Sequence, residues 1–197
     1  GGVVGENAAI IATGMRGKVY VVDKSKERLK QLHEMFGDKI IPTESDKTDL
    51  KKLISECDLL IGGVLIPGAE APKLVTKEMV KNMKRGSVVV DVAIDQGGCV
   101  ETSKPTTHAD PTYLVDDVVH YCVANMPGGV PRTSTMALNK ATLPLLIKLA
   151  DQGYKKTLQE NKNYLAGLNV YKGKITFKGV AEAFKLNYTP AEKALSE

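Results

Sequence analysis

The chain has 197 residues, enough for one large domain or one and a half ordinary ones, and enough to bury a core. Hydrophobic residues make up 43% and charged residues 25%, the balance of a globular protein and not of a disordered one. Lys+Arg 27 against Asp+Glu 23 leaves +4, but the lysines are scattered among acids and Trp is absent, which argues against a nucleic-acid partner.

Gly1-Gly2-Val3-Val4-Gly5-Glu6 opens the chain, and Ala8-Ala9-Ile10-Ile11-Ala12 reads as the helix that follows. Gly2 and Gly5 stand three apart, like the second and third glycines of a G-x-G-x-x-G turn. Such a turn lets backbone approach a pyrophosphate and aims unpaired N–H groups at it. Two glycines before a helix also make an ordinary tight turn. The first glycine and its strand are absent, so the chain reads as a piece of a longer protein. Lys18–Asp23 is short, β-branched and apolar, as a buried parallel strand should be. Asp23 ends it, near the ~20-residue spacing at which the fingerprint places an acid on the adenosine ribose. The other role for Asp23 is a helix cap. A carboxylate there repels a 2′-phosphate, so NAD is expected over NADP.

Ser25–Phe36 predicts a helix with Leu29, Leu32 and Phe36 inward and His33 on its flank. Asp38–Ser45 is a weaker strand, and Asp46 or Thr48 is placed to cap a helix whose apolar face is Leu50, Leu53 and Ile54. Asp58–Leu65 is the next buried strand, where Gly62 and Gly63 permit close backbone approach or mark a bulge. The Pro/Gly-bearing loop Ile66–Leu74, a short helix Thr76–Met83 and a strand Ser87–Ala93 follow.

This alternation predicts an α/β fold: a Rossmann-type doubly wound parallel sheet, its first strand missing, with right-handed crossovers. Ligands of such sheets lie beyond the carboxyl ends of the strands. Asp23, Ser45, Val64-Leu65 and Ile94-Asp95 all fall there. Asp95 suits a proton-handling or ribose-orienting role, or is simply a turn residue before Gly97-Gly98. A long loop runs on to His108, expected in solvent. Val118–Val123 is one more strand, with His120 a packing histidine, and it ends at Asn125, placed for a sugar or carboxamide or for capping the turn.

From Ser134 the character changes. Ser134–Ala150 is a long helix, apolar over much of its circumference and so expected to be covered on both sides, as a helix running between domains or into a subunit contact. A shorter helix Tyr154–Asn161, a hairpin Asn169–Thr176 around Gly173, a helix Phe177–Leu186 and a polar tail complete the chain. Residues 1–131 are assigned to the dinucleotide-binding domain. Residues 132–197 are assigned to C-terminal helices that need a partner segment. Cys57, Cys99 and Cys122 are odd in number, widely spaced and free of zinc-like spacing with His. They suit reduced thiols. With no signal peptide or bilayer-long apolar run, a soluble cytoplasmic protein is expected.

Gly1–Ala9, Val21–Asp23, Gly62–Leu74, Val90–Cys99, Ser103–Thr107 and Tyr121–Thr135 together resemble the alanine dehydrogenase family, and the resemblance runs essentially end to end. It implies an NAD-dependent oxidoreductase that interconverts L-alanine and pyruvate plus ammonia, with this chain as the portion that follows an N-terminal substrate-binding segment. It places Gly2, Val3, Val4 and Gly5 at the pyrophosphate, Asp23 and Arg28 at the adenosine ribose, and Ser45 on the adenine side. It places Val64 and Leu65 beside the nicotinamide riboside. Val92, Ala93, Ile94, Asp95, Lys104, Val123, Ala124, Asn125 and Met126 match further cofactor-contacting positions. Asp95 is the catalytic position implied. The family's substrate-binding Arg and Lys and its catalytic His precede the fingerprint, and none of His33, His108 or His120 matches that His. The C-terminal helices are implied to fold onto the substrate domain, and members are commonly hexamers. Some members hold a metal near the long helix, where Lys148 and Gln152 are poor ligands, so no metal is expected. The related NAD-binding subunit of proton-translocating transhydrogenase shares the Pro-Gly-x-x-Ala-Pro loop but lacks Ala-Asn-Met-Pro-Gly. The alternative reading is such a subunit, or a non-catalytic NAD-binding module.

Overall fold

The computed structural model describes residues 1–46, 48–64, 66 and 71–196. They divide into two compact units, Gly1–Leu65 with Ala71–Met126, and Ile66–Glu70 with Pro127–Glu197.

In the first unit, helix α1 (Val3–Gly14) leads into strand β1 (Val19–Asp23) and helix α2 (Lys26–Phe36). The weak strand expected from Asp38 begins later, because Gly37–Lys39 form a 3-10 turn and β2 covers Ile40–Glu44. Helix α3 (Leu50–Glu56) is capped by Asp49, whose carboxylate accepts the Lys52 N–H at 3.2 Å. The expected caps Asp46 and Thr48 lie too far upstream, since a cap directly precedes the first helical residue and satisfies a first-turn donor. Strand β3 (Leu59–Gly62), helix α4 (Lys77–Lys81, capped by Thr76) and strand β4 (Val88–Asp91) follow. The expected strand through Ala93 stops at Asp91, whose side chain turns back onto the Ala93 N–H and starts a 3-10 turn, Val92–Gln96. Strands β5 (Thr112–Val115) and β6 (Val118–Tyr121) close the unit.

β1 and β2 form a parallel ladder. A second ladder has the order β3–β4–β6–β5, parallel from β3 through β6. β5 was not foreseen. It pairs antiparallel with β6 through a two-residue turn in which Asp116 and Asp117 have φ of 51° and 61°. Turns of that hand match strand twist but usually advertise themselves with Asn-Gly. Among the described residues β1 and β3 share no ladder, and α1 packs against both. The parallel α/β architecture read from the sequence is the one observed.

Two cores hold the unit. Ala9, Val21, Leu32 and Ile40 join α1, α2 and the first ladder. Ile54, Val75, Val80, Met83, Val89, Val100 and Val118 pack on one face of the second. Each fully buried Val or Leu stabilises by roughly 1.5–3 kcal/mol.

The second unit is built from α5 (Pro131–Gln152), α6 (Tyr154–Glu160), α7 (Lys162–Ala166), α8 (Lys178–Phe184) and α9 (Ala191–Ser196). A hairpin of β7 (Val170–Tyr171) and β8 (Lys174–Ile175) turns through Lys172 and Gly173, both at positive φ. α5 buries none of its residues, and Met136, Leu138 and Leu146 are each more than 60% exposed, on the helix whose sequence reads as one made for a contact between domains or subunits. The tail is not featureless. Ala191, Ala194 and Leu195 lie at helical spacing, and α9 buries all three against α6, α7 and β7.

Candidate dinucleotide-binding site

The carboxyl end of β1 is organised around Asp23. Its Oδ1 accepts the Ser25 N–H at 2.8 Å, and the Gly1 nitrogen lies 3.1 Å from Oδ2. Burial acts to raise its pKa. The Ser25 and Lys24 N–H groups act the other way, favouring the ionised carboxylate. The cap of α2 is Ser25, whose Oγ accepts the Arg28 N–H at 3.1 Å, so capping is not what Asp23 does here. Ser45 sits beside it, its N–H donating to the Asp23 carbonyl at 3.1 Å. The Arg28 guanidinium donates through Nε to the Gly1 carbonyl and through a terminal nitrogen to the Glu6 carboxylate.

The first turn of α1 runs from this edge toward β3. A Cβ on Gly1 would lie 2.8 Å from Asp23 Oδ2, and one on Gly63 would lie 3.2 Å from the Val4 side chain. Gly2 and Gly5 face open space instead, so nothing among the described residues requires a glycine there. No side chain caps the helix. Its first N–H groups therefore have no intrahelical partner, and the positive end of the helix faces outward. An open glycine turn, free N–H donors and an adjacent ionised carboxylate fit a dinucleotide's pyrophosphate and ribose.

Beyond β3 and β4 lies a denser network. Asp91 is fully buried. It accepts N–H bonds from Ala93 (3.1 Å), Cys99 (2.9 Å) and Val100 (3.0 Å), and the Ser103 hydroxyl at 2.7 Å. Gly62 is forced by this packing, because a Cβ there would meet Cys99 Sγ at 2.4 Å. Gly62 ends β3 in regular register with Asp91 and Gly63 follows it, so Gly62 is not a bulge and both glycines make room for side chains of this chain, Cys99 and Val4. Burial, aided by the Asp91 charge, pushes the Cys99 thiol up to about 12, so it stays protonated and unreactive.

Asp91 fixes both ends of the segment that presents Asp95. Ala93 and Ile94 are buried beneath it, while Asp95 is exposed. The Asn125 N–H donates to Asp95 Oδ1 at 3.2 Å, with Asn125 in the left-handed region at φ 54°. His108 is exposed, as expected. Its Nε2 lies 3.2 Å from the Asn125 carbonyl and steadies the same turn. His120 is a packing residue as expected: its Nδ1 is 3.1 Å from the Val118 carbonyl, its Nε2 is 2.8 Å from the Thr102 hydroxyl, and Tyr113 stacks on it. Burial lowers its pKa.

The structure therefore brings Gly2, Val3, Val4, Gly5, Asp23, Arg28 and Ser45 to the ends of β1 and β2. Val64, Val92–Asp95 and Val123–Met126 lie beyond β3, β4 and β6. Val123 is fully buried and bridged to Thr106. The Lys104 ammonium rests 4.5 Å above the Tyr113 ring. Leu65 lies outside the described residues. Sequence reasoning missed Glu6, Asp91 and His108. An acid inside the run Val88–Val92 was a usable signal for Asp91, since a buried carboxylate needs dedicated donors. A recess lined by Arg16, Lys18, Asp38 and Lys39 lies at the amino ends of β1 and β2, away from this rim.

Ladder order and rim together define a dinucleotide-binding α/β domain of the Rossmann type. A family model described as alanine dehydrogenase/PNT, C-terminal domain, matches residues 1–178, and the chain belongs to that family. It is 58% identical over 191 residues to an alanine dehydrogenase of Halomonas elongata, covering 97% of this chain and 52% of that protein. It is 53% identical over 196 residues to alanine dehydrogenase 2 of Staphylococcus aureus, covering 99% and 53%. A solved L-alanine dehydrogenase matches with TM-score 0.81 at 47% identity, over 93% of this chain and 51% of that one. The transhydrogenase from Sinorhizobium meliloti matches with TM-score 0.57 at 29% identity, over 66% and 36%. The chain spans about half the length of the alanine dehydrogenases it matches. Membership implies a nicotinamide cofactor. Among the described residues no helix is long and apolar enough to cross a membrane.

Proposed function

We propose that this chain supplies the NAD-binding half of an enzyme that converts L-alanine reversibly to pyruvate and ammonia. The observation that carries the reading is the convergence of Asp23, the uncapped α1 turn and the Asp95–Asn125 pair on the carboxyl ends of parallel strands. Asp23 accepts the ribose hydroxyls, and its charge disfavours a 2′-phosphate, which selects NAD. The free N–H groups of α1 hold the pyrophosphate, with Arg28 and Ser45 on the adenosine side. Val64, Leu65, Val92–Asp95, Lys104 and Val123–Met126 frame the other end. Bound NAD supplies the acceptor for the hydride that leaves the substrate Cα. Asp95, held through one oxygen by Asn125, keeps the other for a ribose hydroxyl or for the water that hydrolyses the substrate imine. Residues 1–131 form the dinucleotide-binding domain, and residues 132–197 belong with the substrate domain. The substrate-binding residues and the acid–base histidine belong to an N-terminal segment outside this chain. The whole enzyme is read as a cytoplasmic homo-oligomer, a hexamer. The free thiols of Cys57, Cys99 and Cys122 suit a reducing compartment.

The test is NADH formation from L-alanine by the full-length protein, with its native mass measured alongside. Turnover with NAD and little with NADP supports the reading. Binding of NADH without turnover overturns the catalytic assignment in favour of a non-catalytic module or a transhydrogenase-like subunit.

A further inference from the structure

The Arg28 guanidinium stands beside the edge proposed for the adenosine ribose, and each of its three nitrogens has a partner. It stands on the first turn of α2, and Gly1 lies between it and Asp23: the Gly1 nitrogen contacts Asp23 Oδ2, and the Gly1 carbonyl takes the Arg28 Nε–H at 2.6 Å. A terminal nitrogen is paired with the Glu6 carboxylate, and Nη1 reaches Gln31 Oε1 at 3.4 Å. Both partners of the Glu6–Arg28 pair are about three-quarters buried, so water screens the pair less than an open surface pair. Guanidinium is the group best suited to grip a phosphate through paired donors. Here both terminal nitrogens already have partners, Glu6 of α1 and Gln31 of α2. The neighbouring Lys26 follows the same pattern more weakly, 3.9 Å from Glu44.

We propose that Glu6 is a specificity residue of the cofactor site: by holding Arg28 it withholds from a 2′-phosphate a guanidinium that would help neutralise it. This rests on the proposed NAD-binding role. Asp23 then excludes the phosphorylated cofactor by repulsion, and Glu6 excludes it by removing a compensating charge. Both elements act against one wrong ligand, as discriminating sites commonly require. Glu6 acts through Arg28.

The test is direct titration of the full-length protein with NADH and NADPH, with no substrate present. Glu6→Gln keeps the shape of the side chain and removes the charge, and Glu6→Ala is the second variant in case the first folds poorly. Lys24, exposed on the same turn, stays unchanged throughout. In both variants the ratio of the NADPH to NADH dissociation constants falls about tenfold, the scale of one charge-assisted hydrogen bond. In Glu6→Gln/Arg28→Gln that gain disappears. An unmoved ratio, or a shift that survives loss of Arg28, overturns the inference while NADH binding leaves the cofactor site standing. Failure of the unmodified protein to bind either dinucleotide overturns the proposed function, and the inference with it.

Discussion

Asp23 and Asp91 both end parallel strands of the first unit, yet they are solvated in opposite ways. Asp23 is a quarter exposed, with its donors on one side and an open edge on the other. Asp91 is sealed, and three backbone N–H groups and a hydroxyl consume its acceptor capacity. The same residue type at the same place in a strand thus does two jobs. An acid left with a free lone pair can receive a ligand. An acid with none left can only shape the chain around it, and Asp91 shapes the segment carrying Asp95.

Breaking the buried member should have the largest effect. Asp91→Ala strands the Cys99 and Val100 N–H groups and should cost about 3–5 kcal/mol of stability, read from the urea midpoint. A variant as stable as the parent would show that the segment does not depend on this carboxylate. Next comes Gly62→Ala, whose new methyl meets Cys99 Sγ and should cost roughly 1–3 kcal/mol. Cys99→Ala in the same chain should recover much of that loss, and no recovery would place the clash elsewhere. The smallest effect concerns His120. Its folded pKa is depressed, so the unfolded chain binds more protons as the pH falls past the ordinary histidine value of about 6.5. Stability should therefore be full at neutral pH and decline below that value. The groups facing His120 are the Thr102 hydroxyl, the Tyr113 ring and the Val118 carbonyl, with the Asp91 charge nearby. His120→Gln should flatten the decline between pH 5 and 7, as checked by denaturation at both.

The parallel strands were legible because their signals are local and redundant: Val19–Asp23 and Val88–Asp91 are β-branched runs bounded by turns. The helix of α2 announced itself through Leu29 and Leu32, both buried as expected. β5 was hidden because its turn uses Asp116-Asp117, residues that adopt positive φ less readily than glycine. α9 was hidden because its stripe is mostly alanine, which looks polar-neutral in so short a segment. On the site, the sequence pointed to the strand ends and to Asp23, Asp95 and Asn125, since strand polarity alone carries those to one rim. It did not point to the Glu6–Arg28 pair or to the donors around Asp91. Those depend on which side chains meet across 22 and 12 residues of chain, which no local pattern encodes.

The most direct test of the account is the NADH dissociation constant of the full-length protein and of its Asp23→Ala variant, measured side by side at neutral pH. Loss of the ribose acceptor should weaken NADH about tenfold or more, with the urea midpoint nearly unchanged. Equal affinities in the two proteins would contradict the placement of the adenosine ribose on Asp23, and the site built around it would have to be abandoned.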